Sequence, residues 1–272
     1  MFSLKGKRAL VTGASRGAGF GIAKALAVAG AEVVATARNE EGLQNLCREI
    51  EAAGGGKVAI VPGDLATRTG ARDVARRSGA VDVLINNAAL ATGKSQSLLV
   101  QDDELWDLEF ALNVIAPVTL MQSLVPGMVQ RGRGVVINIS SIAAHRPNPQ
   151  NVPYGASKAA LEVVSRGAAI ELAPKGVRVN AVALGLTDTE ALHEGLVKGI
   201  TVEDVGRMFA PIGRVTKVSE VAALCVLLAS DEVAAITGTV ITMDGGITAG
   251  TYDRAVTGAI GFGRDMTPGS KK

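Results

Sequence analysis

Short apolar runs alternate with stretches of helical periodicity along almost the whole chain, and no other feature limits the fold as much. The runs occupy residues 8–12, 32–37, 57–61, 81–86, 135–139, 177–182 and 239–243. They are short and rich in Val, Ile and Ala, so they read as buried strands. Between them lie helical patterns at 17–29, 40–53, 67–78, within 102–131, at 154–172 and at 218–229. Glycines 54–56 close the second helix, since glycine suits a left-handed cap, and Pro62-Gly63 ends the third strand. Pro117 and Pro126 mark two expected kinks in the long helical stretch.

Strands separated by helices form parallel pairs through crossovers, and near-continuous apolar strands fit a sheet covered on both faces. The expected architecture is a single α/β domain over residues 1–250, a doubly wound sheet of about seven parallel strands. In such a sheet the ligand lies at the carboxyl ends of the strands. A loop-rich insert runs from about Leu186 to Arg214, and its part 188–212 should cover the substrate. Residues 251–272 change character and read as a C-terminal tail.

Composition removes several alternatives. A formal charge of +2 leaves no basic footprint for duplex DNA, and 3% aromatic content leaves no stacking platform for single strands. Nucleic acid is therefore not an expected partner, and the arginines at 68, 72, 76 and 77 read as a solvated face. The longest apolar run taken from the sequence, 221–229, is too short to span a bilayer, and residues 1–8 lack the apolar run of a signal peptide. Cys47 and Cys225 have no metal-ligand spacing. The expectation is a cytoplasmic protein with no metal and no membrane contact.

The turn between the first strand and first helix reads Thr12-Gly13-Ala14-Ser15-Arg16-Gly17-Ala18-Gly19. Glycines there let a pyrophosphate approach the backbone, and the helix N-terminus offers free N–H groups and a positive dipole end. Gly13, Ser15, Arg16, Gly17 and Gly19 are thus candidate dinucleotide ligands. The second strand ends Thr36-Ala37-Arg38, with no acid to accept from a ribose 2′-hydroxyl. Arg38 and Arg16 would instead hold a 2′-phosphate, which points to NADP(H); the alternative is two solvated arginines. Asp64-Leu65 can close over the adenine, or Asp64 can cap the next helix.

The run at 135–139 delivers Ser140 and Ser141 to a strand end. Tyr154 and Lys158 follow four residues apart, about 40° apart on one helical face. An ammonium beside a phenol favours the phenolate, so the pair makes an acid/base unit.

Taken in order, Thr12-Gly13…Gly17…Gly19, Asn86-Asn87-Ala88, Ser141, Tyr154-Gly155-Ala156-Ser157-Lys158 and Asp244-Gly245-Gly246 resemble the short-chain dehydrogenase/reductase family. The resemblance covers roughly residues 5–248 and lies nearest the 3-oxoacyl-carrier-protein reductases and NADPH-dependent carbonyl reductases. It implies a Rossmann-type fold and a catalytic set of Asn113, Ser141, Tyr154 and Lys158. Tyr154 would pass a proton to or from the substrate oxygen. Lys158 would lower the Tyr154 pKa and hold the nicotinamide ribose. Ser141 would bind the substrate oxygen; it is preferred to Ser140 because the family's serine lies thirteen residues before the tyrosine. Asn113 would bend the long helix and hold a water linking Lys158 to solvent. Asn86 would stabilise the sheet, Asn87 and Ala88 would border the adenosine, and Gly185, Thr187 and Thr189 the nicotinamide. The sequence departs from the family pattern at Ala89, where glycine is usual, and at Leu184, where proline is usual.

His145 reads as a loop residue that shapes the pocket. The apolar insert predicts a moderately apolar carbonyl or alcohol substrate. The resemblance also implies a homotetramer formed through the long helix, the Tyr154 helix and the last strand. Two other readings stay open: an NAD(P)-dependent dehydrogenase of a secondary alcohol of sugar or steroid type, and a cofactor-binding regulator without turnover.

Overall fold

The computed structural model describes residues 2–90, 97–149 and 151–250; the tail expected at 251–272 lies outside them. Seven strands form one sheet in the order β3-β2-β1-β4-β5-β6-β9. They are β1 (Arg8–Thr12), β2 (Glu32–Thr36), β3 (Val58–Ile60), β4 (Val83–Asn86), β5 (Gly134–Ser141), β6 (Val177–Leu184) and β9 (Val240–Met243). Every neighbouring pair is parallel. All carboxyl ends therefore lie on one edge, and the order reverses between β1 and β4, the switch point where such sheets bind ligands.

The helices are α1 (Gly17–Val28), α2 (Glu40–Ala52), α3 (Arg68–Ser78), α4 (Asp103–Phe110), α5 (Ala116–Gln130), α6 (Val152–Leu172) and α9 (Val218–Ala229). One core lies where α1, α2 and α9 cover the sheet, with Ile22, Leu26, Leu43, Leu46 and Val221 inward. The other lies under α3 and α5, with Val74, Leu120, Leu124 and Met128. Burying each such aliphatic side chain contributes roughly 1.5–3 kcal/mol, which makes the helix packing the main support of the sheet. Inside the sheet, Asn86 Nδ2 donates to Asn138 Oδ1 across the β4–β5 pair at 2.8 Å, the sheet-stabilising role expected of Asn86.

Three expectations need correction. The long helical stretch runs on through both prolines: Pro117 follows closely on an irregular turn, and α5 continues through Pro126. The irregularity is a π-helical turn at Ala111–Ile115, centred on Asn113. This continuous 28-residue stretch, Asp103–Gln130, is by length and composition apolar enough to cross a membrane, which a search for unbroken apolar runs overlooks. More than half of its most apolar 18-residue window is buried, as befits a helix that packs on α3 and the sheet.

The insert is also more ordered than a loop. It holds β7 (Thr187–Asp188), α7 (Glu190–Glu194), α8 (Val202–Phe209) and β8 (Thr216–Lys217), with β7 and β8 paired. A reciprocal capping box between Thr201 and Asp204 starts α8. Finally, Thr67 rather than Asp64 caps α3, accepting from Gly70 N; Asp64 stays local, accepting from Ala66 N.

Candidate active site

Because the sheet is parallel, every residue singled out above reaches the same edge. Gly13 to Gly19 lie between β1 and α1, Arg38 follows β2, Asp64 and Leu65 follow β3, and Asn87 and Ala88 follow β4. Ser141 ends β5, Gly185 and Thr187 follow β6, and Thr189 caps α7 through its side chain.

The β1–α1 turn is braced by Thr12 and Asn87. Thr12 Oγ1 accepts from the backbone N–H of both Asn87 and Ala88 at 2.9 Å. Asn87 Nδ2 donates back to Thr12 O at 2.9 Å. A Cβ on Gly13, whose φ is +66°, would stand 2.8 Å from Asn87 Nδ2, and one on Gly19 would stand 2.3 Å from Gly13 O. Only glycine admits this packing. No side chain caps the N-terminus of α1, and its first turn holds no acid. The chain thus offers an anion there uncapped N–H groups and a dipole end. At the end of β2, Thr36 Oγ1 is buried without a hydrogen-bond partner among the described residues, and Arg38 is exposed. These features fit a dinucleotide with a charged group at the adenosine end. Arg16, the other candidate for that charge, pairs with Glu194 of α7 at 3.2 Å.

The candidate proton-transfer residues lie on β5 and α6. Tyr154 and Lys158 share one face of α6, with Lys158 Nζ 5.7 Å from the Tyr154 ring centroid. Lys158 is buried and donates to Ile139 O at 2.8 Å; burial pushes its pKa down to about 8, partly offset by the charge of Glu109. The Ser141 hydroxyl lies near enough to the Tyr154 phenol to bear on its pKa. The expected lowering of the Tyr154 pKa by Lys158 is not what this geometry yields. Burial raises it, the Ser141 hydroxyl lowers it in part, and Glu109 raises it further. The ammonium points at a backbone carbonyl, so desolvation of the phenolate wins.

Asn113 sits in the π-helical turn. Its Nδ2 donates to Leu90 O at 3.1 Å and Ser157 Oγ at 3.0 Å, and its Oδ1 accepts from Leu90 N at 2.9 Å. Its amide thus ties the chain after β4 to α6. Gly185 is explained by a neighbour: a Cβ there would stand 2.7 Å from Asp244 Cα. Asp244 in turn accepts from Gly246 N and Thr248 N, closing the turn after β9. A cavity of about 460 Å³ lies between α3 and α5 around Arg72, Arg76 and Arg131, and contains none of these residues.

Residues 13–248 match the family model described as enoyl-(acyl carrier protein) reductase. The chain belongs to the short-chain dehydrogenase/reductase family. It is 36% identical to gluconate 5-dehydrogenase of Gluconobacter oxydans over 91% of its own length and 97% of that protein's. It is 34% identical to the 3-oxoacyl-(acyl-carrier-protein) reductase of Escherichia coli, over 90% and 98%. It superposes on L-sorbose reductase of Gluconobacter frateurii, solved with NADPH and L-sorbose, with a TM-score of 0.84 and 33% identity over 92% and 99% of the two chains. The fold and the oxidoreductase class expected from the motifs are those of this family.

Two carboxylates escaped the sequence reading. Glu109 is wholly buried on α4 and acts electrostatically on Tyr154 and Lys158. Glu162 is buried on α6. Each lies one helical turn from a chemical residue, Glu109 before Asn113 and Glu162 after Lys158, and that spacing was the available signal.

Proposed function

We infer that the protein reduces a ketone or 3-oxoacyl carbonyl to a secondary alcohol with NADPH. The observation that carries this reading is the Tyr154 phenol with a buried Lys158 over its ring and the Ser141 hydroxyl nearby. Those groups converge where a substrate oxygen can accept from two hydroxyls. Ser141 orients that oxygen, and Tyr154 gives its phenolic proton to it as the alcohol forms. A raised phenol pKa keeps Tyr154 protonated and ready to donate. Lys158, with a pKa of about 8, holds positive charge beside the ring and can shuttle a proton near neutral pH. Asn113 holds α6 in place through Ser157.

NADPH, when bound, supplies the hydride. Gly13, Ser15, Gly17 and Gly19 would meet its diphosphate, Arg16 and Arg38 its 2′-phosphate, and Asp64, Leu65, Asn87 and Ala88 its adenosine. Lys158 and Tyr154 would reach its nicotinamide ribose, and Gly185, Thr187 and Thr189 its carboxamide end. The NADPH-bound L-sorbose reductase supports this cofactor. The insert at 188–212, with exposed Val197, Met208 and Phe209, covers the substrate.

A second reading is favoured by the sugar-acid and sugar substrates named for two of the relatives: oxidation of a secondary alcohol of a polyol or sugar acid. We also read the protein as a cytoplasmic homotetramer. Its two cysteines are free, and the outer face of α6 exposes Val163 and Ile170. The deciding experiment is a panel of ketones, 3-oxoacyl thioesters, sugars and polyols assayed with NADP(H) and NAD(H). Comparable efficiency with NAD(H) sinks the cofactor choice, and tight NADPH binding with no turnover at all returns the protein to a regulator.

A further inference from the structure

We propose that Glu162 is a positioning residue that locks the Ser141 end of β5 onto the Tyr154–Lys158 face of α6, with His145 as its second anchor. The proposal rests on the reading of Ser141, Tyr154 and Lys158 as the proton-transfer site.

Tyr154, Lys158 and Glu162 recur every four residues, so they form one stripe along α6. Three consecutive residues of β5 meet that stripe. Ile139 O accepts from Lys158 Nζ at 2.8 Å, Ser140 Oγ donates to Glu162 Oε1 at 2.8 Å, and the Ser141 hydroxyl bears on the Tyr154 phenol. Glu162 Oε2 meets His145 Nε2 at 2.8 Å, with Arg166 Nη1 at 3.8 Å. His145 stands just after the tight turn Ile142–Ala144 that follows Ser141. The carboxylate thereby closes a ring from strand end through turn to helix.

The reason such a ring matters is strand geometry. Successive side chains of a strand point to opposite faces. Pinning Ser140 sets the rotation of the strand end, and hence the direction of Ser141. Burying a carboxylate is costly unless its lone pairs are filled, and a buried ion pair is weak support for stability. Glu162 touches none of the reacting groups, so orientation of Ser141 is what its placement achieves.

The test uses full-length protein in a Tyr252→Phe background, because the chain has two tyrosines and the remaining signal then belongs to Tyr154. Its Cζ resonance in isotope-labelled protein reports the surroundings of the phenol, the Ser141 hydroxyl among them, at neutral pH without any substrate. Glu162→Leu should move that resonance and lower kcat roughly 10- to 100-fold, the cost of displacing a reacting group by about 1 Å. The Kd for NADPH should stay within roughly twofold, since the glycine turn is untouched. Glu162→Gln keeps an oxygen for Ser140 and should restore both readouts. Should Glu162→Leu fail to fold, Ser140→Ala removes only the hydroxyl and should move the resonance in the same direction. A Tyr154 resonance unchanged in these variants overturns the proposal, even where the melting temperature falls. A parent protein that turns over no carbonyl compound would count against the reductase reading alone, because the resonance still answers the positioning question.

Discussion

Lys158 stands over the ring of Tyr154, 5.7 Å from its centroid, while its hydrogen bond goes to Ile139 O. The pair is therefore coupled through space rather than through a shared proton. Tyr154 stays a protonated phenol, and Lys158 becomes the group that titrates near pH 8. Substituting Tyr154 by Phe should leave NADPH binding within roughly twofold and lower kcat by about 10²–10⁴-fold, the range for a lost general acid. Steady-state kinetics beside a fluorescence titration of NADPH checks this; retained turnover removes Tyr154 from the mechanism.

Lys158 should also set a pH dependence of stability. Its folded pKa, about 8, lies below the ordinary 10.5. Between these values the unfolded chain binds the proton and the folded chain does not, so stability rises with pH. Below about pH 8 both states are charged and the folded state bears the full cost of burying the cation. Relative to Lys158→Met, the wild type should gain up to about 3 kcal/mol between pH 8 and 10.5. Urea unfolding of both proteins across that range measures it; a flat difference refutes the burial argument.

The proposed contact of Arg16 with the 2′-phosphate makes Glu194 a competitor of NADPH for that guanidinium. The Arg16–Glu194 pair spans the glycine turn and α7 at 3.2 Å, with both side chains more than half exposed. Glu194→Gln should tighten NADPH roughly two- to fivefold, as suits an exposed pair, and leave NADH unchanged because it lacks the 2′-phosphate. Equal gains for both cofactors would show that Arg16 does not read the phosphate.

Assembly is testable through α6. Val163 is 62% and Ile170 77% exposed, and both lie on the face turned away from the sheet. In sedimentation at micromolar concentration the wild type should run as a tetramer, and Val163→Glu combined with Ile170→Glu should dissociate it. A monomeric wild type ends the tetramer reading.

The strands were legible because an apolar run between turn residues needs no partner to be recognised, and all seven appear within a residue or two of the expected limits. Ser141, Tyr154 and Lys158 were legible because their spacing is local to one strand end and one helix turn. The π-helical turn ahead of Pro117 was not legible, because the Asn113 amide at its centre reaches Leu90 and Ser157, both distant in sequence. The capping box at Thr201 and Asp204 was readable but was passed over in an insert taken for loop.

By itself the sequence determined the order of elements and the parallel sheet, because each follows from periodicity, and its local spacings nominated the proposed proton-transfer residues. Tertiary structure alone decided what those residues face. It joined Thr12 to Asn87, Arg16 to Glu194 and Ser140 to Glu162 across long stretches of chain. It also reversed the expected direction of the Tyr154 pKa, since whether a neighbouring cation outweighs desolvation depends on where the ammonium points and how much water is left, and neither quantity is written in a four-residue spacing.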